Sequence, residues 1–292
     1  MDNSIGKKRI ITHRGLEPFN PNVIYGESTY EAFQNHLSRG FGGIEFDPNP
    51  TKDGIIVLHD STLERATGGY NKQLVSEITT EEATKAKLTK KGRIATFQEI
   101  LDLIKTNNAT MNAIHLKYHL QTPQMLDRIM EALAPYHDSF NKFIVFDINS
   151  DTARVLKKTF PTLRLAPSVA HPYDIIRYTE AVGGTLLTLE EALELKKEGL
   201  VDGIWGDEWD RTGENGTSKV FYTPELFEKI HAAGMFAALV TPELHGTSPQ
   251  LLGGESHSDA KNVPMLMERI KEIKSAGADY FCTDHPEEVA KL

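Results

Sequence analysis

The chain has 292 residues, 25% of them charged, with 41 Asp and Glu against 32 Lys and Arg, for a formal net charge of −9. That balance argues against a nucleic-acid partner and repels anionic ligands at long range, so an anion bound here needs local positive charge. One cysteine, Cys282, excludes an internal disulfide framework. No apolar run approaches the roughly 20 residues of a membrane span, and the opening MDNSIGKKRIITHRG lacks the apolar stretch of a secretory signal. A cytoplasmic protein is the expectation.

Taken in chain order, short β-branched runs alternate with segments of helical period. RIITH (9–13) predicts a first strand ending on His13, followed by a helix in STYEAFQNHLSRG (28–40), with Ser and Thr before it and Gly after. GGIEFD (42–47) predicts a second strand carrying Glu45 and Asp47 at its end, and GIIVL (54–58) leads into His59 and Asp60. Residues 61–95 do not fit a strand–helix unit and read as an insertion before the helix of ATFQEILDLIK (95–105). Further strands are predicted in NAIHLKYH (112–119), KFIVFDI (142–148), RLAPSVA (164–170), DGIWGD (202–207), MFAALVT (235–241) and ADYFCTD (278–284). Helices are predicted in TPQMLDRIMEAL, DTARVLKKTF, TPELFEKIHAAG and VPMLMERIKEIKSAG, with a solvated helix face in TLEEALELKKEG.

Eight strands alternating with helices predict an α/β fold, a single (β/α)8 TIM barrel over residues 1–292 with a small insertion after strand 2. No G-x-G-x-x-G follows a strand, which removes the main support for a dinucleotide fold. In such a barrel the chemistry gathers at the C-terminal ends of the strands. Alternation along a strand predicts that Glu45 and Asp47 share a face, as do His115, Lys117 and His119. The remaining histidines read as surface or structural residues.

Six segments, in order, resemble the glycerophosphodiester phosphodiesterases: HRG (13–15), ESTYEAF (27–33), IEFD (44–47), TKDGIIVLHDSTLERATGG (51–69), RIATFQEILDLI (93–104) and CTDHPEEV (282–289). The resemblance implies metal-dependent hydrolysis of a phosphodiester to an alcohol and a phosphomonoester. It implies His13 and His59 as acid–base catalysts, Arg14 and Lys117 on the phosphate, and Glu45 and Asp47 as ligands of one divalent metal ion. Two positions depart from it. His115 stands where the family has its third ligand, a Glu, and Ser28 stands where it usually has Asn. Carboxylates suit Mg2+ or Ca2+, whereas an imidazole opens the site to Mn2+ or Zn2+; His115 is expected near the ion as ligand or neighbour.

The partner is thus expected to be a small-molecule phosphodiester, with no nucleic acid and no membrane span. Trp205 and Trp209 are expected to form an aromatic wall for the alcohol, or else core and loop. With the long loop at 240–257 as a lid, they raise an alternative substrate, a sugar-containing, opine-like diester. Two further alternatives stay open: lyase or transferase chemistry at the same site, and a catalytically silent phosphodiester-binding protein. Oligomeric state is not legible.

Overall fold

The computed structural model describes residues 4–18, 20–242 and 262–292. In it the β-branched runs become β1 (Ile10–His13), β2 (Gly43–Phe46), β3 (Pro48–Pro50), β4 (Ile55–Val57), β5 (Ala95–Thr96) and β6 (Asn112–His115). They continue as β7 (Phe143–Phe146), β8 (Arg164–Ala166), β9 (Ser168–Ala170), β10 (Gly203–Asp207), β11 (Phe236–Val240) and β12 (Tyr280–Thr283). The large sheet runs β8-β7-β6-β2-β1-β12-β11-β10-β9. Each of its pairings is parallel.

The two strands at its ends are halves of one run, RLAPSVA, interrupted at Pro167. Proline has no N–H to give to a ladder, so the strand breaks there. Its carbonyl is still used, accepting from the Trp205 N–H at 2.9 Å. With β8 against β7 and β9 against β10, the sheet closes into the eight-stranded TIM barrel.

Alternation along these strands divides two cores. Ile11, Met111, Ala113, Ile144, Phe146, Ala166, Trp205, Ala238 and Cys282 fill the barrel interior. Their outward neighbours, such as Ile10, Ile44, Ile114 and Val145, pack against the surrounding helices. Those helices include α1 (Tyr30–Ser38), and α3 (Phe97–Lys105), which is closed by a capping box between Thr96 and Glu99. No helix among the described residues is long and apolar enough to cross a membrane. Barrel closure also forces close backbone approach: a Cβ on Gly43, at the start of β2, would stand 1.9 Å from the Met111 carbonyl oxygen.

The insertion is larger than the sequence suggests. It begins at Pro48, not near residue 61, because β3, β4 and β5 form a separate antiparallel sheet with its own core of Ile56, Leu58, Leu63, Val75, Ile78, Ala83 and Ile94. Pro48-Asn49-Pro50 reads as a breaker, yet it pairs with Ile55–Val57 as an edge strand, where proline is tolerated.

The loop leaving β1 is held in an unusual backbone state. Arg14 and Gly15 both adopt left-handed conformations, with φ of 52° and 68°. A Cβ on Gly15 would also meet the Ala32 Cβ at 2.9 Å. Glu17 then ties the loop to α1 and its C-cap: it pairs with Arg39, contacts His36 Nε2 at 3.0 Å and accepts from Asn20 Nδ2 at 2.6 Å.

Gly15→Ala is expected to destabilise the protein by about 2 kcal/mol, from the left-handed penalty and the overlap with Ala32, as read by urea unfolding. For Glu17, burial alone would raise the carboxyl pKa, but His36, Arg39 and Asn20 hold it down to about 2 from 4.5. A depressed carboxylate contributes stability above its unfolded pKa and loses it as pH falls through the folded value. The stability gap between wild type and Glu17→Gln should therefore be full above pH 4.5 and close toward pH 2.

Candidate active site

Because the barrel strands are parallel, their C-terminal ends share one rim, and the polar residues of the motifs collect there. His13 ends β1 and lies in register with Glu45 of β2. Asp47 follows β2, and His115 ends β6. Of the residues expected to share a face, His115, Lys117 and His119, the first two meet Asp47: His115 Nδ1 lies 3.0 Å and Lys117 Nζ 3.1 Å from Asp47 Oδ1. His119 does not join them. β6 stops at His115 and residues 118–120 form a 3-10 turn, which ends the alternation and leaves His119 exposed, edge-on to Tyr118.

Glu45 and Asp47 are 2% and 0% exposed, an unusual depth for two carboxylates. Burial, and then the neighbouring Asp47 charge, push the Glu45 pKa up. Burial works against Asp47 as well, but Lys117, His59, His115 and Arg14 hold its carboxyl well below the ordinary range. Asp47 Oδ2 accepts no hydrogen bond among the described residues and faces Arg14 Nε at 3.7 Å. One donor atom each from Glu45, Asp47 and His115 lies within 4.8 Å of the others. A buried carboxylate pair with an orphaned oxygen and an adjacent imidazole fits a divalent cation.

Each imidazole is held by a carboxylate. His13 Nδ1 meets Asp284 Oδ1 at 2.8 Å, with Nε2 lying 3.9 Å from Glu45 Oε2. His59 Nδ1 meets Asp60 Oδ1 at 2.7 Å, and Asp60 accepts two bonds from Arg65, at 2.6 and 2.9 Å. His59 enters from the insertion, just after β4, and Asn49 Nδ2 pins that turn by donating to the Leu58 and Asp60 carbonyls. Lys117 donates to the His59 carbonyl at 2.7 Å. Burial, then the Arg14 and Lys117 charges, push the His59 pKa well below its ordinary value.

His115 is set between two acids, Nδ1 on Asp47 and Nε2 3.3 Å from Asp147 Oδ2. Burial disfavours its charge, but the hydrogen bonds with Asp147 and Asp47 lift its pKa to about 9. Its ring stacks on Phe146 at 4.6 Å, and Phe146 stacks on Trp205 at 3.9 Å. Trp205, 2% exposed, is therefore part of the barrel interior and not an aromatic wall, since an inward position on a central strand leaves it no open face. Trp209 is half-buried against Tyr178. The segment expected as a lid, 240–257, lies outside the described residues from 243 onward.

Four acids at the rim escaped assignment from the sequence. Asp284 sits in the CTDHPEEV segment and Asp60 directly follows His59, positions that carry no signal of their own in the sequence. Asp147 and Asp207 follow or end the strands β7 and β10, and an acid at the C-terminal end of a barrel strand is the signal that marks them. Burial and the Asp147 carboxylate raise the Asp207 pKa to about 7, against a hydrogen bond from Ser168.

The glycerophosphoryl diester phosphodiesterase family model matches residues 13–288. The chain is 31% identical over 168 residues to the glycerophosphodiester phosphodiesterase of Caldanaerobacter subterraneus subsp. tengcongensis, a match spanning 54% of this chain and 65% of that relative. A crystal structure of a glycerophosphoryl diester phosphodiesterase from Parabacteroides distasonis superposes with a TM-score of 0.64 at 21% identity, covering 97% of this chain and 84% of that one. An Oleispira antarctica phosphodiesterase, solved with its product sn-glycerol-3-phosphate, superposes with a TM-score of 0.60 at 14% identity, covering 96% and 94%. The match of the family model, from the histidine that ends β1 to the helix that follows β12, identifies the chain as a member of the glycerophosphoryl diester phosphodiesterase family.

Proposed function

We infer that the protein hydrolyses a glycerophosphodiester to an alcohol and glycerol phosphate. The observation that carries this is the grouping of two carboxylate-backed imidazoles, His13 and His59, with the buried pair Glu45 and Asp47 and the cations Arg14 and Lys117. The product bound by the Oleispira phosphodiesterase supports glycerol phosphate as the retained half.

A phosphodiester is an anion, and this rim meets it with fixed positive charge despite the chain's acidic total. Arg14 presents a planar fork and Lys117 a point charge, both suited to phosphoryl oxygens. Glu45, Asp47 and His115 would hold a divalent cation, which when bound supplies Lewis-acid polarisation of the phosphoryl group. His59, kept neutral by burial and the adjacent cations, is placed to take the proton of the attacking hydroxyl or water. His13, with Nδ1–H donating to Asp284, directs Nε2 toward the carboxylate pair, where it is placed to protonate the departing alkoxide. The two carboxylates behind the rings fix their tautomers, as the buried Asp does in a Ser-His-Asp triad.

A glycerol diester is favoured over a sugar diester because the aromatic wall invoked for a sugar loses Trp205 to the barrel interior.

With Mn2+ or Mg2+ supplied, the purified protein should convert glycerophosphocholine or glycerophosphoethanolamine to glycerol phosphate, followed by phosphorus NMR. His13→Ala and His59→Ala should each lower kcat by roughly 10²–10⁴-fold. No turnover with any of Mg2+, Ca2+, Mn2+ or Zn2+, or turnover indifferent to both variants, would overturn the hydrolase reading. A persistent cyclic phosphate would redirect it to a lyase. Separately, proton NMR of the metal-free protein should show His59 titrating well below 6.5, and Lys117→Met should move that titration upward. An unmoved titration would remove the ground for His59 as the base.

A further inference from the structure

We propose that Asp147 is a positioning residue that holds His115 as an Nδ1 metal ligand, and that this pair turns the site toward a transition ion and away from Mg2+ and Ca2+. The inference rests on the reading of Glu45, Asp47 and His115 as a cation site.

An imidazole can ligate in several orientations, and three contacts leave this one a single choice. Its ring lies flat on Phe146, with an interplanar angle of 17°, and Phe146 is in turn stacked on the buried Trp205, so the ring plane is fixed. Rotation within that plane is fixed by Asp147, whose Oδ2 lies 3.3 Å from Nε2. A carboxylate accepts only, so Nε2–H donates to Asp147, and Nδ1 turns to the opposite side, where a bound cation would take the place of its proton. There it meets Asp47 Oδ1 at 3.0 Å and Glu45 Oε1 at 3.9 Å. Nδ1 and Asp47 Oδ1 thus stand close enough for one cation to engage both.

The support behind Asp147 is stiff. Asp147 is 8% exposed and adopts φ of 59°, a left-handed state that aspartate accepts more readily than most side chains. Gln121 locks the loop around it, donating from Nε2 to the Leu116 and Asp147 carbonyls at 2.7 Å each and accepting from the Asn149 N–H at 3.0 Å. One side chain thus joins the segments that follow β6 and β7 and fixes the distance between His115 and Asp147. A non-glycine residue held in a left-handed state by such a clamp marks a position whose side-chain direction matters.

A carboxylate behind a ligating imidazole sets its tautomer and raises its basicity, and removing it typically costs 10–100-fold in metal affinity. Two carboxylates and one imidazole rank first-row transition ions above the hard ions, which prefer oxygen throughout.

The test is calorimetric titration of the chelator-stripped protein with Mn2+, Zn2+, Mg2+ and Ca2+, beside pulsed EPR of the Mn2+ form. Wild type should bind Mn2+ and Zn2+ at least 10-fold more tightly than Mg2+, and its Mn2+ spectrum should carry the nitrogen coupling of a ligating imidazole. Asp147→Gly, which tolerates the left-handed backbone, should weaken Mn2+ binding 10–100-fold and leave Mg2+ little changed. Asp147→Asn, whose amide oxygen still accepts from Nε2–H, should recover part of the loss. His115→Glu should invert the preference toward Mg2+ and Ca2+ and abolish the nitrogen coupling. Ion binding without nitrogen coupling in wild type, or with Asp147→Gly unaffected, overturns this proposal and leaves the cation site standing. No binding of any ion removes the cation site itself. The wild-type spectrum decides the matter even where a variant fails to fold.

Discussion

Glu45 and Asp47 are two negative charges taken almost wholly out of water and set side by side, and the architecture of the rim follows from compensating them. Desolvating a single carboxylate costs several kcal/mol even after the protein relaxes. Two like charges this close also repel each other, which raises the cost further. Asp47 is the hub of the compensation, with Arg14, His115 and Lys117 arriving from the loops and strand ends around β1 and β6. The chain as a whole is acidic, and Arg14 and Lys117 bring the local cations to this one point.

That placement depends on backbone states that most residues avoid. Arg14, Ser28 and Asp147 all take left-handed conformations, and Ser28 N–H donates to the Arg14 carbonyl at 2.7 Å. Two strained residues therefore support each other at the base of the loop that leaves β1. The Ser28 position explains the pattern of the family resemblance. Asn tolerates a left-handed φ far better than Ser, and here the Ser28 hydroxyl is buried without a hydrogen bond among the described residues. The departure is conservative in size but costly in conformation.

Much of this was legible in the residues themselves. Period-two runs carrying His13, Glu45 and His115 located three barrel strands, because alternation ties a side chain's face to its position. The logic failed where the strand ended. Lys117 reaches Asp47 by its length and not by strand register, while His119, two residues on, is carried out to solvent by a 3-10 turn. Pro48 and Pro50 concealed an edge strand, since proline argues against a strand only where both edges are paired. Trp205 misled because an aromatic residue near a strand end reads equally as wall or floor, and only the inward register of β10 separates them. Asp284 and Asp60 each meet another residue's ring nitrogen. That role leaves no spacing signal, because its partner comes from elsewhere in the chain or, for Asp60, from the next residue in an HD pair that ordinary turns also contain.

His115 brings these strands together. An imidazole in place of the glutamate that the family resemblance implies leaves one negative charge fewer beside Glu45 and Asp47, which taken alone would weaken their hold on a cation. The structure returns that charge one residue further out, as Asp147 behind the ring. Three carboxylates, those of Glu45, Asp47 and Asp147, therefore face this ring. What changes is the donor atom presented, nitrogen in place of oxygen, and with it the class of ion the site discriminates for. A flat ring also needs a flat seat, and Phe146 on Trp205 provides one where a glutamate side chain would gain nothing from stacking. The buried tryptophan is thus connected to the chemistry after all, through two stacked rings and not through contact with the alcohol. Substitution, seat and displaced carboxylate form one consistent unit, each of whose parts would be unexplained without the other two.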